Sequence, residues 1–237
     1  MELLKLMQER QSTRLPYDIK RQIAEKDLLQ ILEAARWTPS AHNMQNFEII
    51  IVDDRKSLDS IANIKRPLSE IFIRENYQHL SFSMEELQRK KTGLLGTMFP
   101  PEWRDPNFSL DSIDENETLS MQRPFPDCPL MLIVVYDPAR RAPASEGDFL
   151  GILSLGCLME NMWLMANSLG INFHIMSSLS SDSSEKEVKK ILKIPENLKI
   201  AFCTWLGYAS LKPQYLRVRR EIDDFTSYNE FGQRGPE

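Results

Sequence analysis

The stretch Asp148 to Leu169, DFLGILSLGCLMENMWLMANSL, is apolar on almost every side, and as a helix it would run about six turns. A helix of that kind needs either a protein core or lipid around it. Glu160, Asn161 and Asn167 interrupt the run and no basic flank anchors it, so it reads as the central buried helix of a folded domain rather than a membrane span. Ser145 and Asp148 have capping-box spacing at its start, and Gly170 suits its C-cap.

Four apolar runs have strand character: 46–53 (NFEIIIVD), which reads as a buried strand, 130–136 (LMLIVVY), 171–176 (INFHIM) and 199–206 (KIAFCTWL). Helical spacing marks residues 2–10, through Leu3, Leu4 and Met7, and 26–37, through Leu28, Ile31, Leu32 and Ala35. A further helix over 184–192 opens on Ser184-x-x-Glu187, buries Val188, Ile191 and Leu192, and is stopped by Pro195. The order of these elements gives no simple βαβ repeat, which favours an α+β fold in which one sheet carries helices on its faces. Residues 65–125 form a long connection, with helical character at 76–80 and 84–95 and an irregular part, Phe99-Pro100-Pro101-Glu102-Trp103. So long an insertion suits a substrate-facing lid. A tail, 209–237, follows the last strand and is placed to reach a second subunit.

Composition narrows the function. Apolar residues make up 42% and charged residues 27%, as in an ordinary folded domain. A formal net charge of −5 argues against nucleic acid as a partner. Cys128, Cys157 and Cys203 are few, odd in number and set in apolar runs, and His42, His79 and His174 show no ligand spacing with them, so neither a disulfide framework nor a metal site is expected. The N-terminus lacks a signal-peptide pattern, which makes the cytoplasm the expected compartment.

Four segments could carry chemistry. Arg10-Gln11-Ser12-Thr13-Arg14 sets two guanidinium groups about a hydroxyl, suited to a phosphate or an anionic ring edge, and also readable as a solvated basic turn. Pro39-Ser40-Ala41-His42-Asn43-Met44-Gln45 joins a helix to a strand, with small residues that admit a planar ligand and amides that hydrogen-bond it. Ile175 to Leu179 places Met176, Ser177 and Ser178 at a strand end, where backbone N–H groups can donate to a ring nitrogen or simply form a turn. Arg217, Arg219 and Arg220 form a local basic cluster before Glu221, Asp223 and Asp224, suited to one small anion or to a solvated tail.

Taken in order, these segments resemble the flavin-dependent nitroreductase family. That family has R-[RQ]-S-x-R after its first helix (here Arg10 to Arg14) and P-S-x-x-N-x-Q before its first strand (Pro39 to Gln45). Its long central helix ends in a small residue, leucine and glycine (Leu158 to Gly170), and a strand then enters the flavin loop (Ile171 to Leu179). Its last strand ends L-G-Y (Leu206-Gly207-Tyr208) and is followed by R-[RK]-P-L-[DE]-E, here Arg219-Arg220-Glu221-Ile222-Asp223-Asp224. The likeness covers nearly the whole chain except 65–125. Two departures stand out: Gln45-Asn46-Phe47 where many members have Q-P-W, and Glu221 in place of the proline.

The resemblance implies a single-domain, three-layer sandwich with a mostly antiparallel sheet, binding FMN tightly but non-covalently. Arg10 and Ser12 would contact the phosphate and ribityl chain, with Gln11 beside them. Arg219 would be the C-terminal phosphate arginine, with Arg220 as the alternative and Arg217 as a helper. Arg14 would lie at the N1/O2 edge of the ring. Pro39, Ser40, Ala41, Asn43 and Gln45 would border the ring, and the backbone of Met176, Ser177 and Ser178 would face N5. The implied activity is ping-pong transfer of electrons from NADH or NADPH to a nitroaromatic, a quinone or a similar small acceptor. The site would be shared across a homodimer, with the chemistry carried by the flavin rather than by a catalytic side chain. No G-x-G-x-x-G occurs, so a Rossmann nicotinamide site is not indicated. A dedicated reductive enzyme of the dehalogenase type and a non-catalytic flavin-binding module are the alternative readings.

Overall fold

Alternate residues of Leu130–Tyr136 face opposite sides of a sheet that helices cover on both faces, which is why this strand is apolar throughout. The computed structural model describes residues 2–64, 71, 74–75, 79–96, 105, 107, 127–143, 147–211 and 216–234. The helices are α1 (Leu3–Glu9), α2 (Glu25–Arg36), α3 (Arg55–Ala62), α4 (Met84–Lys90), α5 (Phe149–Ser168) and α6 (Asp182–Leu192). The strands are β1 (Glu48–Val52), β2 (Ser81–Phe82), β3 (Leu94–Leu95), β4 (Leu130–Tyr136), β5 (Asn172–Met176) and β6 (Lys199–Gly207). Contacts divide the chain into two units: Met1–Arg66 with Pro124–Pro213, and Pro67–Arg123 with Gln214–Glu237.

In the first unit a four-stranded sheet has the order β1-β4-β6-β5, and every neighbouring pair is antiparallel. Met131, Ile133 and Val135 join one core with Leu58 and Ile61 of α3 and Val188 of α6. Leu130, Leu132 and Val134 join a second with Ile31 and Ala35 of α2 and Leu155, Leu158, Met162 and Ala166 of α5. The α+β sandwich is therefore three layers deep. Each side chain of this size, when fully buried, contributes roughly 1.5–3 kcal/mol. In β6 the pairing skips Ala201, because Val134 opposes Phe202 while Val135 opposes Ile200. That bulge returns Ile200 to the face shared with Cys203 and Trp205.

Several boundaries differ from the sequence expectation. β1 is an edge strand and only half-buried, with Ile51 42% exposed, because it has β4 on one side only. α6 starts at Asp182, so Ser184 lies buried inside the helix instead of capping it, and it ends before Lys193, whose φ of 56° closes it ahead of Pro195. α5 is long and apolar enough to cross a membrane by length and composition. It lies against α2 and β5 with one face buried, while Phe149, Ile152 and Leu153 on the other are half exposed or more. Ser145 and Phe99 to Trp103 lie outside the described residues.

In the second unit, β2 and β3 pair in parallel around α4, which Ser83 and Glu86 start with a reciprocal capping box. The helix expected over 84–95 stops at Lys91, with φ 57°, and Leu94–Leu95 turns into strand instead. Gly93 is required there, since its φ is +96° and a Cβ would meet the Leu80 carbonyl oxygen at 2.5 Å. In the tail, a short 3-10 turn at Ile222–Asp224 is capped by Glu221, and Arg234 Nη1 donates to the carbonyls of Asp223 and Thr226.

Candidate functional site

α1 ends at Arg10, and the chain then runs along the outer edge of β5. Ser12 bridges Phe173 in the parallel sense, and the Thr13 N–H donates to the Phe173 carbonyl at 3.0 Å. Thr13 is buried; its hydroxyl oxygen accepts from Asn172 Nδ2 at 3.2 Å, and its carbonyl accepts from the Tyr17 hydroxyl at 3.1 Å. The Tyr17 ring is itself buried, and Asp18 N–H donates to the Tyr208 carbonyl at 2.8 Å. The segment bearing Arg10, Gln11, Ser12 and Arg14 is thus fixed beside the strand that ends in Met176, Ser177 and Ser178.

Ser177 follows Phe173 by four residue steps, about 13 Å of extended chain. Ser177 and Ser178 are exposed, and a 3-10 turn at Ser178–Ser180 follows them. Cys203 Sγ donates to the Met176 carbonyl at 3.4 Å, which holds the strand end from the neighbouring β6. Arg10 lies against α5: its Nε is 3.1 Å from Glu160 Oε1, and its guanidinium carbon sits 4.2 Å from the Trp163 ring centroid. Trp163 in turn stacks on Phe173, with centroids 5.8 Å apart.

The Pro39–Gln45 segment is held at a different stretch of α5. Ala41 N–H donates to Ser154 Oγ at 3.1 Å, and Ser40 Oγ accepts from Gln45 N–H at 3.0 Å. Asn43 Oδ1 accepts from Gln45 Nε2 at 3.0 Å, and Pro39, Asn43 and Gln45 are exposed. His42, Asn43 and Gln45 all have positive φ, at 51°, 51° and 47°. Three non-glycine residues in the left-handed region cost on the order of 1 kcal/mol each, and such strain gathers at functional loops. Ser154 lies six residues before Glu160, about 9 Å along the helix axis. One chain therefore sets Arg10–Arg14 against the strand that leads to Met176–Ser178 and seats Pro39–Gln45 on an earlier stretch of α5.

Sequence reasoning missed the residues that hold these segments in place. Asn46, which stands where proline is usual in the resembling family, donates to the carbonyls of Asp137 at 2.8 Å and Arg140 at 3.0 Å and accepts from Asp137 N–H at 3.2 Å. It pins the turn after β4 beside a shallow cleft whose lining includes Ser40, Met44, Phe47, Arg140 and Leu155. Asn161 clamps α2 through the Ala34 carbonyl and Thr38 Oγ1. Only the interruption of the apolar run could have flagged Asn161 and Glu160.

Arg217, Arg219 and Arg220 belong to the second unit and are exposed, outside any helix or strand. Arg219 Nη1 donates to the Val218 carbonyl at 2.7 Å, and Arg220 lies 5.4 Å from the Phe225 ring centroid. Among the described residues no three His, Cys, Asp or Glu side chains gather into a metal-binding set.

An antiparallel sheet of order β1-β4-β6-β5 between two helical layers, with a cationic segment along β5, defines a class of α+β fold. The Nitroreductase family model matches residues 7–208, and the chain belongs to that family. The match ends before the three tail arginines. The fold is similar to a nitroreductase with bound FMN from Bacteroides fragilis, at 22% identity over 96% of this chain and 99% of that one, with a TM-score of 0.59. It is also similar to an FMN-dependent nitroreductase from Clostridium difficile R20291, at 15% identity over 96% and 99%, TM-score 0.59. A nitroreductase family protein from Clostridium difficile 630 gives 16% identity over 97% and 99%, TM-score 0.61. No curated protein matches the chain.

Proposed function

We propose that this chain is an FMN-dependent oxidoreductase that takes electrons from NADH or NADPH and delivers them to a small acceptor such as a nitroaromatic or a quinone. The observation that carries this reading is the Ser12–Phe173 bridge, which sets the Arg10–Arg14 segment beside the strand ending in Met176–Ser178. The donor set fits the cofactor. Arg10 and Ser12 would offer a guanidinium and a hydroxyl to the phosphate and ribityl chain, Arg14 would offer positive charge to the pyrimidine edge, and the Met176–Ser178 backbone would face N5. When bound, FMN would supply the redox step in a ping-pong cycle, and the protein would orient it and exclude competing reactions.

The separation of Pro39–Gln45 from Arg10–Arg14 along α5 supports a site completed by a second copy of the chain. The half-exposed apolar face of α5 supports the same arrangement, since Phe149, Ile152 and Leu153 would then be covered. In this reading one of Arg217, Arg219 and Arg220 would serve the phosphate in the second copy; the substrate-facing lid expected of 65–125 falls largely outside the described residues.

The test is the absorbance spectrum of the purified protein, followed by identification of the chromophore released on denaturation. A yellow protein that releases FMN, and whose reduced flavin is reoxidised by a quinone or nitroaromatic, is the expected result. A colourless protein that cannot be reconstituted with FMN overturns it.

A further inference from the structure

Glu160 is the one charged residue among the twenty of α5. A carboxylate on so apolar a helix carries a desolvation cost unless a cation meets it, and Arg10 Nε does so at 3.1 Å. Three residues further along the same face, Trp163 places its ring under the Arg10 guanidinium, with 4.2 Å between the guanidinium carbon and the ring centroid. The Glu160 and Arg10 side chains keep 37% and 23% of their exposure, so the pair is partly shielded and still reachable by an anion. Arg10 also lies two residues from Ser12, whose bridge to Phe173 fixes the backbone, and Phe173 stacks on Trp163. One guanidinium is thus held at an edge by a carboxylate, on a face by an indole and at its root by a strand.

We infer that Glu160 is a positioning residue which presents Arg10 to the phosphate of the flavin; this rests on the FMN reading above. An arginine side chain has four rotatable bonds, and ordering it at the moment of binding weakens binding. Glu160 makes that ordering a property of the fold. The carboxylate also repels the incoming phosphate, so the net sign of its effect is measurable.

FMN and riboflavin binding to the full-length apoprotein separate the phosphate contribution from the ring, since riboflavin lacks the phosphate. Glu160→Ala should weaken FMN about tenfold, within the range of one charge-assisted contact, and leave riboflavin affinity as in wild type. Glu160→Gln, which keeps the size of the side chain but removes the charge that pairs with Arg10, should weaken FMN by a similar factor and likewise spare riboflavin. In an Arg10→Ala background, Glu160→Ala should have no further effect on the FMN-to-riboflavin ratio. Unchanged or tighter FMN binding in Glu160→Ala overturns the inference, and so does an equal loss of both flavins. If Glu160→Ala does not fold, an unchanged FMN-to-riboflavin ratio in Glu160→Gln also overturns it. Wild-type protein that binds neither flavin refutes the FMN reading itself, and this inference with it.

Discussion

Asn172 holds Thr13 with one end of its side-chain amide and Ala209 with the other: Nδ2 donates to Thr13 Oγ1 at 3.2 Å, and Oδ1 accepts from the Ala209 N–H at 2.8 Å. The first residue of β5 thereby ties together the segment between the two arginines and the residue where the tail begins. Asn172→Ala would leave Thr13, only 1% exposed, with a buried hydroxyl lacking this partner. The expected loss is about 1–3 kcal/mol, read as a lower urea midpoint with the slope unchanged. If FMN binds as proposed, its affinity should fall as well, because Ser12 and Arg14 flank Thr13. An unchanged midpoint would mean that the Thr13 contact is dispensable.

Asn46 presents a different kind of test, because its three hydrogen bonds all reach the turn after β4. Asn46→Ala should cost about 1–2 kcal/mol and let the turn open locally. Arg140 and Arg141 lie exposed in that turn, so tryptic cleavage after them should speed up several-fold in the variant before any other site responds. Equal cleavage rates in variant and wild type would show that the turn is held by something else.

Gly156 lies on the exposed side of α5, and a Cβ built there meets nothing within 4 Å. Gly156→Leu should therefore leave the isolated chain as stable as before, or more so by about 0.5–1 kcal/mol, since glycine is the poorer helix former. If a second copy packs on this face, the same change should shift sedimentation toward monomer, and flavin should be lost with the dimer. A yellow Gly156→Leu monomer would show that the site is complete within one chain.

The cysteines give a pH-dependent readout. Burial raises the Cys128 thiol from 9.0 to about 12, with Arg55 nearby opposing the rise. A raised folded-state value means that the folded chain keeps its proton where the unfolded chain has released it. Stability should thus be intact below pH 9.0 and fall as pH rises toward 12. Cys128→Ala should flatten that alkaline limb. Burial also raises Tyr136, which acts in the same direction. At pH 8 and low protein concentration, iodoacetamide should modify exposed Cys157 and spare Cys128 and Cys203. Rapid labelling of Cys128 in the native state would contradict its burial.

The layered fold was legible because periodicity reports burial, and burial is what the layers impose. β4 was bounded to the residue, since both of its faces are covered and its run ends where the coverage ends. The run at 46–53 predicts a buried strand where β1 is a half-buried edge strand, because an edge strand and a central one can share the same β-branched composition. The bulge at Ala201 left no local mark: it is needed only because Ile200 and Cys203 must share a face, which is a tertiary demand. The capping-box spacing of Ser184 and Glu187 points to a start at 184, but α6 starts at Asp182 and Ser184 is buried inside it. The Arg10–Arg14 and Pro39–Gln45 segments could be singled out by residue type. Their separation along α5 could not, and neither could Glu160, Asn46 or Asn172, whose partners are distant in sequence.

Val52 faces Met131 across the β1–β4 ladder, so the intervening chain leaves the sheet and returns to it at adjacent positions. That pair must close a loop of about 80 residues while the polypeptide is still searching, and closure entropy grows only with the logarithm of loop length. Doubling the loop would therefore add only about 0.6 kcal/mol to the closure term. Folding speed is the quantity affected, because a sheet with an edge pairing this non-local assembles late. The ladder is thus a permissive insertion point: lineages can lengthen or exchange what lies between these two strands at little thermodynamic cost, and the toll falls on the time a new chain spends incompletely folded.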